Sequence, residues 1–252
     1  MADREERDVL TTPSAERGRW VRDAFHGIAG HYDLLNTLLS GGVHHIWKRR
    51  AVRAASLHVG GVGIDVCCGT GDLVIRMARM VGPSGRAIGL DFAPGMLEVA
   101  RQRAGASRRG AGATGAISLI CGDAEAIPLR DGVLDGVTIA FGLRNVADPA
   151  RALQEFARVL RPGGRLVVLE FGRPRARWFR WLYNVYSRSV IPRLGGWLSG
   201  RRDAYQYLHD SIREWPDPQA LAALIRQAGL GDVEYRLMTG GIAVLHRAEK
   251  PR

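Results

Sequence analysis

Between Val62 and Phe171, short apolar runs alternate with segments of helical period, and that alternation leaves few folds open. Val62–Cys67, Arg86–Leu90, Ile117–Cys121, Gly136–Ala140 and Arg165–Phe171 read as strands. Strands that are apolar throughout need cover on both faces, which implies a parallel sheet between two helical layers. Helices are predicted over roughly 72–81, over Pro94–Arg103 with proline in its first turn, and over Pro149–Leu160, which Arg161-Pro162-Gly163-Gly164 ends. Residues 104–116, rich in Gly, Ala and Arg, read as an exposed loop. Past a predicted helix at Pro218–Ala228, Val233–Met238 and Ile242–His246 flank Thr239-Gly240-Gly241, a hairpin signal. The predicted fold class is α/β: a doubly wound, mostly parallel seven-stranded sheet with an antiparallel last strand.

The flanks read differently. Residues 1–17 carry mixed charges without periodicity, as a loose tail does. Over residues 19–58, Val21, Phe25, Ile28, Leu34, Leu38 and Trp47 recur at helical spacing, interrupted at Gly30 and Gly41-Gly42, so two or three short helices are expected. Residues 172–216 break the α/β rhythm with nine aromatics and nine arginines against three acids. This helical insert either lines an apolar channel, with arginines reaching to phosphate headgroups, or merely caps the sheet edge. Its aromatics form no clean stripe that would decide. The whole, 1–252, is expected to be a single domain: a core over 62–171, the insert, and a C-terminal helix and hairpin over 217–248.

At 46% hydrophobic and 24% charged residues, the composition is that of a globular chain, not a disordered one. No apolar run approaches the ~18 residues of a membrane span, and Met1–Arg17 lacks the apolar stretch of a secretory signal. Cys67, Cys68 and Cys121 show neither disulfide nor metal-ligand spacing, so a reducing, cytoplasmic setting and no metal are expected. The net charge of +11 suggests an anionic partner, but only Lys48 and Lys250 are lysines. A GC-rich genome also produces such an arginine skew.

The chemistry concentrates in Asp65-Val66-Cys67-Cys68-Gly69-Thr70-Gly71-Asp72, between a strand and a helix. Glycines there let a ligand approach the backbone, and the helix start supplies amide donors. The dinucleotide fingerprint needs a third glycine, and Val74 stands in its place. Asp91 lies 20 residues past Gly71 at a strand end, where a carboxylate can accept both ribose hydroxyls. A nucleoside without a diphosphate fits, and S-adenosylmethionine is the candidate. Asp123 and Ala124, past the third strand, would meet the adenine. The expected cofactor-binding set is Gly69, Thr70, Gly71, Asp91, Asp123 and Ala124.

These residues, with Arg161-Pro162-Gly163-Gly164, resemble the class I S-adenosylmethionine-dependent methyltransferases, which are Rossmann-like. Tyr32-Asp33-Leu34-Leu35-Asn36 with Ser40, His44 and Trp47, and Arg158 to Leu166 continuing to Glu170-Phe171, resemble the demethylmenaquinone and ubiquinone-precursor C-methyltransferases. Phe141 to Val146 and Leu237 to Ile242 are also similar to that family, and the resemblance runs from about Arg19 to Arg247. Cys67 stands where relatives often have glycine, Ala140 and Gly172 where many have serine.

The resemblance implies methylation of a ring carbon of a polyprenylated quinol, most simply demethylmenaquinol to menaquinol, at a membrane surface on the cytoplasmic side. Arg144 would stabilise a quinolate oxygen and Asn145 orient the ring. The other reading of Arg144 is an ion pair with Asp148 or Glu170. Tyr32 and His44 would complete the catalytic set, with His44 as proton acceptor or as a structural histidine near Trp47. The alternatives are a methyltransferase for another small molecule or RNA, and a basic nucleic-acid binder. The latter is disfavoured because no nucleic-acid-binding motif appears. Homo-oligomerisation is left open.

Overall fold

The computed structural model describes residues 40, 42–110, 114–174, 211–212 and 214–252. Helix α1 spans Val43–Ala54. Next come β1 (Val62–Val66), α2 (Asp72–Val81), β2 (Arg86–Asp91) and α3 (Pro94–Gly110). Then follow β3 (Ala116–Cys121), β4 (Leu134–Ala140), a 3-10 turn over Leu143–Asn145, and α4 (Pro149–Val159). β5 (Leu160–Phe171), α5 (Pro218–Gln227), β6 (Gly231–Met238) and β7 (Ala243–Glu249) complete the order.

Two helices start in the same way for the same reason. The Asp148 carboxylate accepts from the Ala150 and Arg151 amides, both at 3.0 Å, and Asp217 accepts from Gln219 and Ala220 at 2.9 and 2.8 Å. Proline follows each aspartate, where no amide hydrogen is needed. Such caps are worth about 0.5–2 kcal/mol each.

The seven strands lie in the order β3-β2-β1-β4-β5-β7-β6. β7 runs antiparallel to both of its neighbours, and the other pairings are parallel. The doubly wound sheet with a reversed last strand is thus observed. One face is covered by α1 and α2, with Trp47, Ala51, Leu73, Val74 and Met77 in one buried cluster. The other carries α4 and α5, where Leu153, Phe156, Leu221 and Ile225 pack on Ile64, Ile139 and Val168.

Two expectations need correction. Helix α3 runs on to Gly110, so half of the expected loop at 104–116 is helical. Arginine and alanine are good helix formers, and Ala104 is buried. Second, the strand after α4 begins at Leu160, not at Arg165. Leu160 pairs with Leu134 and Arg165 with Gly136, so Arg161-Pro162-Gly163-Gly164 is accommodated as an irregularity in the β4–β5 register. Gly163 takes φ 77° there, and its amide donates to the Lys250 carbonyl at 2.8 Å.

The expected tail at 1–17, the predicted helices before residue 40 and the insert over 175–210 lie outside the described residues. Among the described residues no helix is long and apolar enough to cross a membrane.

Candidate active site

In an open parallel sheet, ligands bind beyond the carboxyl ends of the strands where the winding reverses. Here that point lies between β1 and β4. The glycine turn follows β1, Asp91 ends β2, Asp123 follows β3, Phe141 to Asn145 follow β4, and Phe171 ends β5.

Asp91 holds the turn. Its Oδ2 accepts from the Gly69 amide at 2.8 Å and its Oδ1 from the Ala93 amide at 2.9 Å. Each carboxylate oxygen keeps a second lone pair for a ribose hydroxyl. Burial raises the Asp91 carboxyl above its ordinary value, and the amides of Ala93 and Gly69 work against that. Gly69 sits at φ 53°, and a Cβ there would meet nothing within 4 Å. The open space beside Gly69 and the carboxylate behind it fit the nucleoside of S-adenosylmethionine. Gly71, at φ 80°, has a different reason: a Cβ would lie 3.0 Å from the Ala100 Cβ of α3. Thr70 is buried, and its hydroxyl accepts from Arg103 Nη1 at 2.8 Å. Asp123 is exposed, with Oδ1 accepting from the Glu125 amide at 2.9 Å, while Ala124 is buried in the core.

Cys67 and Phe141 carry positive φ, 53° and 59°, at the ends of adjacent strands. Both are in the left-handed region that favours glycine. Gly142 makes the room: a Cβ there would be 2.5 Å from Cys67 Cβ. Burial, then the charges of Asp91 and Asp65, push the Cys67 thiol well up, so it stays neutral. Gly172 also has a packing reason, since a Cβ would lie 2.6 Å from Val244 Cγ2 and 2.8 Å from the Gly241 carbonyl oxygen.

Beyond β4 and β5 stands an aromatic and ionic wall. The Phe141 and Phe171 rings lie 4.4 Å apart. The Arg144 guanidinium lies 5.2 Å from the Phe171 ring centroid. Arg144 Nη1 donates to Glu170 Oε2 at 2.8 Å and to the Phe141 carbonyl at 2.7 Å. The ion pair is deeply buried, at 5% and 1% side-chain exposure. Of the two readings of Arg144, the pairing with Glu170 is therefore present, whereas Asp148 caps α4 instead. Arg144 Nε is buried with no hydrogen-bond partner. Asn145 closes the adjoining 3-10 turn.

His44 is 4% exposed and its Nδ1 lies 2.7 Å from Ser40 Oγ, the arrangement a structural histidine takes. Trp47 Nε1 donates to Thr239 Oγ1 at 2.9 Å, tying α1 to the β6–β7 turn, and its ring lies 6.2 Å from Phe141. Tyr32, Asp33 and Asn36 are outside the described residues.

Two charged contacts beneath the turn escaped the sequence reading. Lys48 Nζ lies 3.2 Å from Asp72 Oδ2, both side chains largely buried. Burial pushes the Asp72 carboxyl up, but Lys48, Arg76 and Arg103 outweigh it and hold it below its ordinary value. Asp65, buried on β1, accepts from Thr138 Oγ1 at 2.6 Å. Burial raises its carboxyl to about 7, against the opposing effects of Thr138 and Lys48. A signal existed for Lys48: it is one of two lysines in an arginine-rich chain. The other, Lys250, donates to the Leu160 carbonyl at 2.7 Å. Both place a compact ammonium against an oxygen acceptor.

Known proteins resemble this chain over nearly its whole length. The family model of the ubiE/COQ5 methyltransferase family matches residues 12–250. The ubiquinone/menaquinone biosynthesis C-methyltransferase UbiE of Pseudomonas paraeruginosa is 41% identical over 239 residues, covering 95% of this chain and 92% of that protein. Its counterpart in Cellvibrio japonicus is 42% identical, covering 95% and 94%. Among solved structures, a SAM-dependent methyltransferase from Thermotoga maritima superposes with a TM-score of 0.60 at 20% identity, covering 90% of this chain and 99% of that one. One from Aquifex aeolicus gives 0.57 at 17% identity, covering 86% and 96%. The solved structures share the fold of S-adenosylmethionine-dependent methyltransferases. The sequence relatives go further, because the match spans nearly the full length of both partners: the chain belongs to the ubiE/COQ5 methyltransferase family.

Proposed function

We propose that the protein is a single-domain enzyme that methylates a ring carbon of a prenylated quinol, with demethylmenaquinol as acceptor and menaquinol as product. The observation that carries this reading is that the wall of Phe141, Phe171 and the Arg144–Glu170 pair and the Asp91–Gly69 cradle stand at the carboxyl ends of neighbouring strands of one sheet. A planar acceptor can lie against the two rings while a nucleoside sits in the cradle. The UbiE relatives, named for ubiquinone and menaquinone biosynthesis, supply the acceptor class.

S-adenosylmethionine supplies an electrophilic methyl group on a good leaving group. The chain's task is then orientation and charge management. Gly69, Thr70, Gly71, Asp91, Asp123 and Ala124 hold the nucleoside, Asp91 through the ribose hydroxyls. Methyl transfer to the ring carbon would leave the S–CH₃ electron pair on sulfur, and the proton displaced from the ring carbon would pass to solvent. A quinolate oxygen makes the ring carbon nucleophilic. The Arg144 Nε–H, buried without an acceptor, is the donor for that oxygen, and Glu170 fixes the guanidinium plane. Asn145 orients the ring from the same turn. His44, held by Ser40, and Tyr32 support the acceptor from the N-terminal segment. The setting is the cytoplasmic side of a membrane, where a polyprenyl chain resides.

The test is methyl transfer by the purified protein from labelled S-adenosylmethionine to detergent-dispersed demethylmenaquinol. Label in menaquinol is expected. Label confined to a benzoquinol would reassign the ring, and label in neither quinol would overturn the reading.

A further inference from the structure

Away from the cradle, a groove of about 620 Å³ lies between the second half of α1 and the sheet edge formed by β6 and β7. Arg50 and Arg53 line it from the helix, Arg236 and Arg247 from the strands, with Ser56 beside them. In register, Arg236 faces Leu245 and Glu234 faces Arg247, so these side chains share one sheet face. Among the described residues that line the groove the one carboxylate is Glu234, which is paired with Arg247 at 3.2 Å. The guanidiniums of Arg50, Arg53 and Arg236 make no hydrogen bond or ion pair among the described residues, and all three residues are exposed.

Unpaired like charges gathered around a concave surface repel one another and raise the local concentration of anions. The groove is also amphiphilic. Leu237, Met238 and Leu245 line it under the cationic rim, and Leu245 and Met238 are buried. Inorganic phosphate would use the rim and leave this apolar lining and most of the volume empty. Ile46, 54% exposed, stands one turn before Arg50 on the same side of α1. Apolar side chains beside arginines are the pattern of a surface that meets lipid headgroups.

We propose that this groove binds the headgroup phosphate of an anionic phospholipid, the guanidiniums of Arg50, Arg53 and Arg236 taking the phosphate and the apolar lining taking the glycerol and first acyl carbons. Continuity with the active site supports lipid as the source. β6 ends at Met238; the next residue, Thr239, holds Trp47, and Trp47 approaches Phe141 of the acceptor wall. On the proposed function, a lipid in the groove therefore sits beside the entrance that a prenylated acceptor would use.

The experiment is vesicle co-sedimentation of the full chain at low salt, with phosphatidylcholine vesicles with and without phosphatidylglycerol. Binding only to the phosphatidylglycerol vesicles is expected. The double variant Arg50→Glu/Arg236→Glu should lose roughly tenfold or more of that affinity. The charge-matched control Arg130→Glu/Arg151→Glu, on the other side of the molecule, should keep it. Melting temperature and S-adenosylhomocysteine binding confirm that both variants are folded, and methyl transfer in detergent should be retained in both. Equal loss in both variants would reduce the effect to net charge and overturn the site. So would unchanged binding by the groove variant. If inorganic phosphate raises the melting temperature of the wild type alone and vesicles do not bind, the ligand is free phosphate and the lipid assignment fails. Salt-sensitive duplex RNA binding lost only in the groove variant, without vesicle binding, would likewise overturn it. Methyl transfer in detergent reads the proposed function separately, so the two failures are distinguishable.

Discussion

At Asp91, one carboxylate has two tasks on the proposed function: it ties the glycine turn through the amides of Gly69 and Ala93, and its remaining lone pairs accept from the ribose hydroxyls. Asp91→Ala should weaken S-adenosylhomocysteine binding by roughly 1.5–3 kcal/mol, since charge-assisted hydrogen bonds are lost. The melting temperature should fall with it, because the amides of Gly69 and Ala93 lose their acceptor. Calorimetry with a parallel melt checks both; unchanged affinity would remove Asp91 from the ribose site. Arg144 calls for a two-step test because it is ion-paired. Removing one partner of a buried pair costs about 3–5 kcal/mol, so Arg144→Ala should lose stability through the stranded Glu170 carboxylate. Adding Glu170→Gln should restore most of that stability. If Arg144 Nε also serves the quinol oxygen, single-turnover methyl transfer stays ~10²–10³-fold low in the restored double variant. Recovery of stability and turnover together would make Arg144 structural only.

Among the elements, the β1–α2 turn separates ligand approach from packing. Gly69 and Gly71 both have positive φ, and a side chain in that region costs roughly 1–2 kcal/mol at either position. Their surroundings differ. A Cβ at Gly69 projects into open space, whereas one at Gly71 presses on Ala100. Gly69→Ala should therefore cost cofactor affinity out of proportion to its modest effect on the melting temperature. Gly71→Ala should cost stability first, through the α2–α3 contact. The opposite ranking in paired melts and titrations would place the nucleoside elsewhere. This turn was legible in the sequence because its signal is local: apolar strand, glycines, helix start. The inner strands were legible for the same reason. The last turns of α3 were not, because Ala104 to Gly110 carry alanine, arginine and glycine without an apolar period. Arg161 to Gly164 misled because proline and glycine also serve in a strand irregularity. Contacts between distant elements left no mark in spacing. Arg144 and Glu170, 26 residues apart, stood in the sequence only as one of two pairings open to Arg144, and the residues of the arginine groove come from α1, β6 and β7.

Across the whole molecule, the strand order β3-β2-β1-β4-β5-β7-β6 puts β1 and β4 at the centre, so what they bury is what the fold must stabilise. They bury a hydrogen-bonded pair with one titratable member, Asp65 on β1 and Thr138 on β4. The Asp65 carboxyl rises from 3.8 to about 7, chiefly by burial. The folded state then holds a proton that the unfolded chain has released anywhere between those values. Stability from this group is complete below about 4 and is lost as pH rises to about 7. His246 works in the other direction. It is buried on β7 and held below its ordinary value by burial, so its contribution grows as pH rises toward 6.5. The wild-type curve mixes the two, and a difference measurement isolates Asp65. Asp65→Asn keeps an acceptor for Thr138 and cannot ionise. The variant's stability minus that of the wild type should rise between pH 4 and pH 7, by an amount of the order of a few kcal/mol, and stay level above. Chemical denaturation at a series of pH values reads this directly. A difference independent of pH would show that Asp65 stays ionised in the folded protein, with Lys48 and Thr138 rather than burial setting its charge.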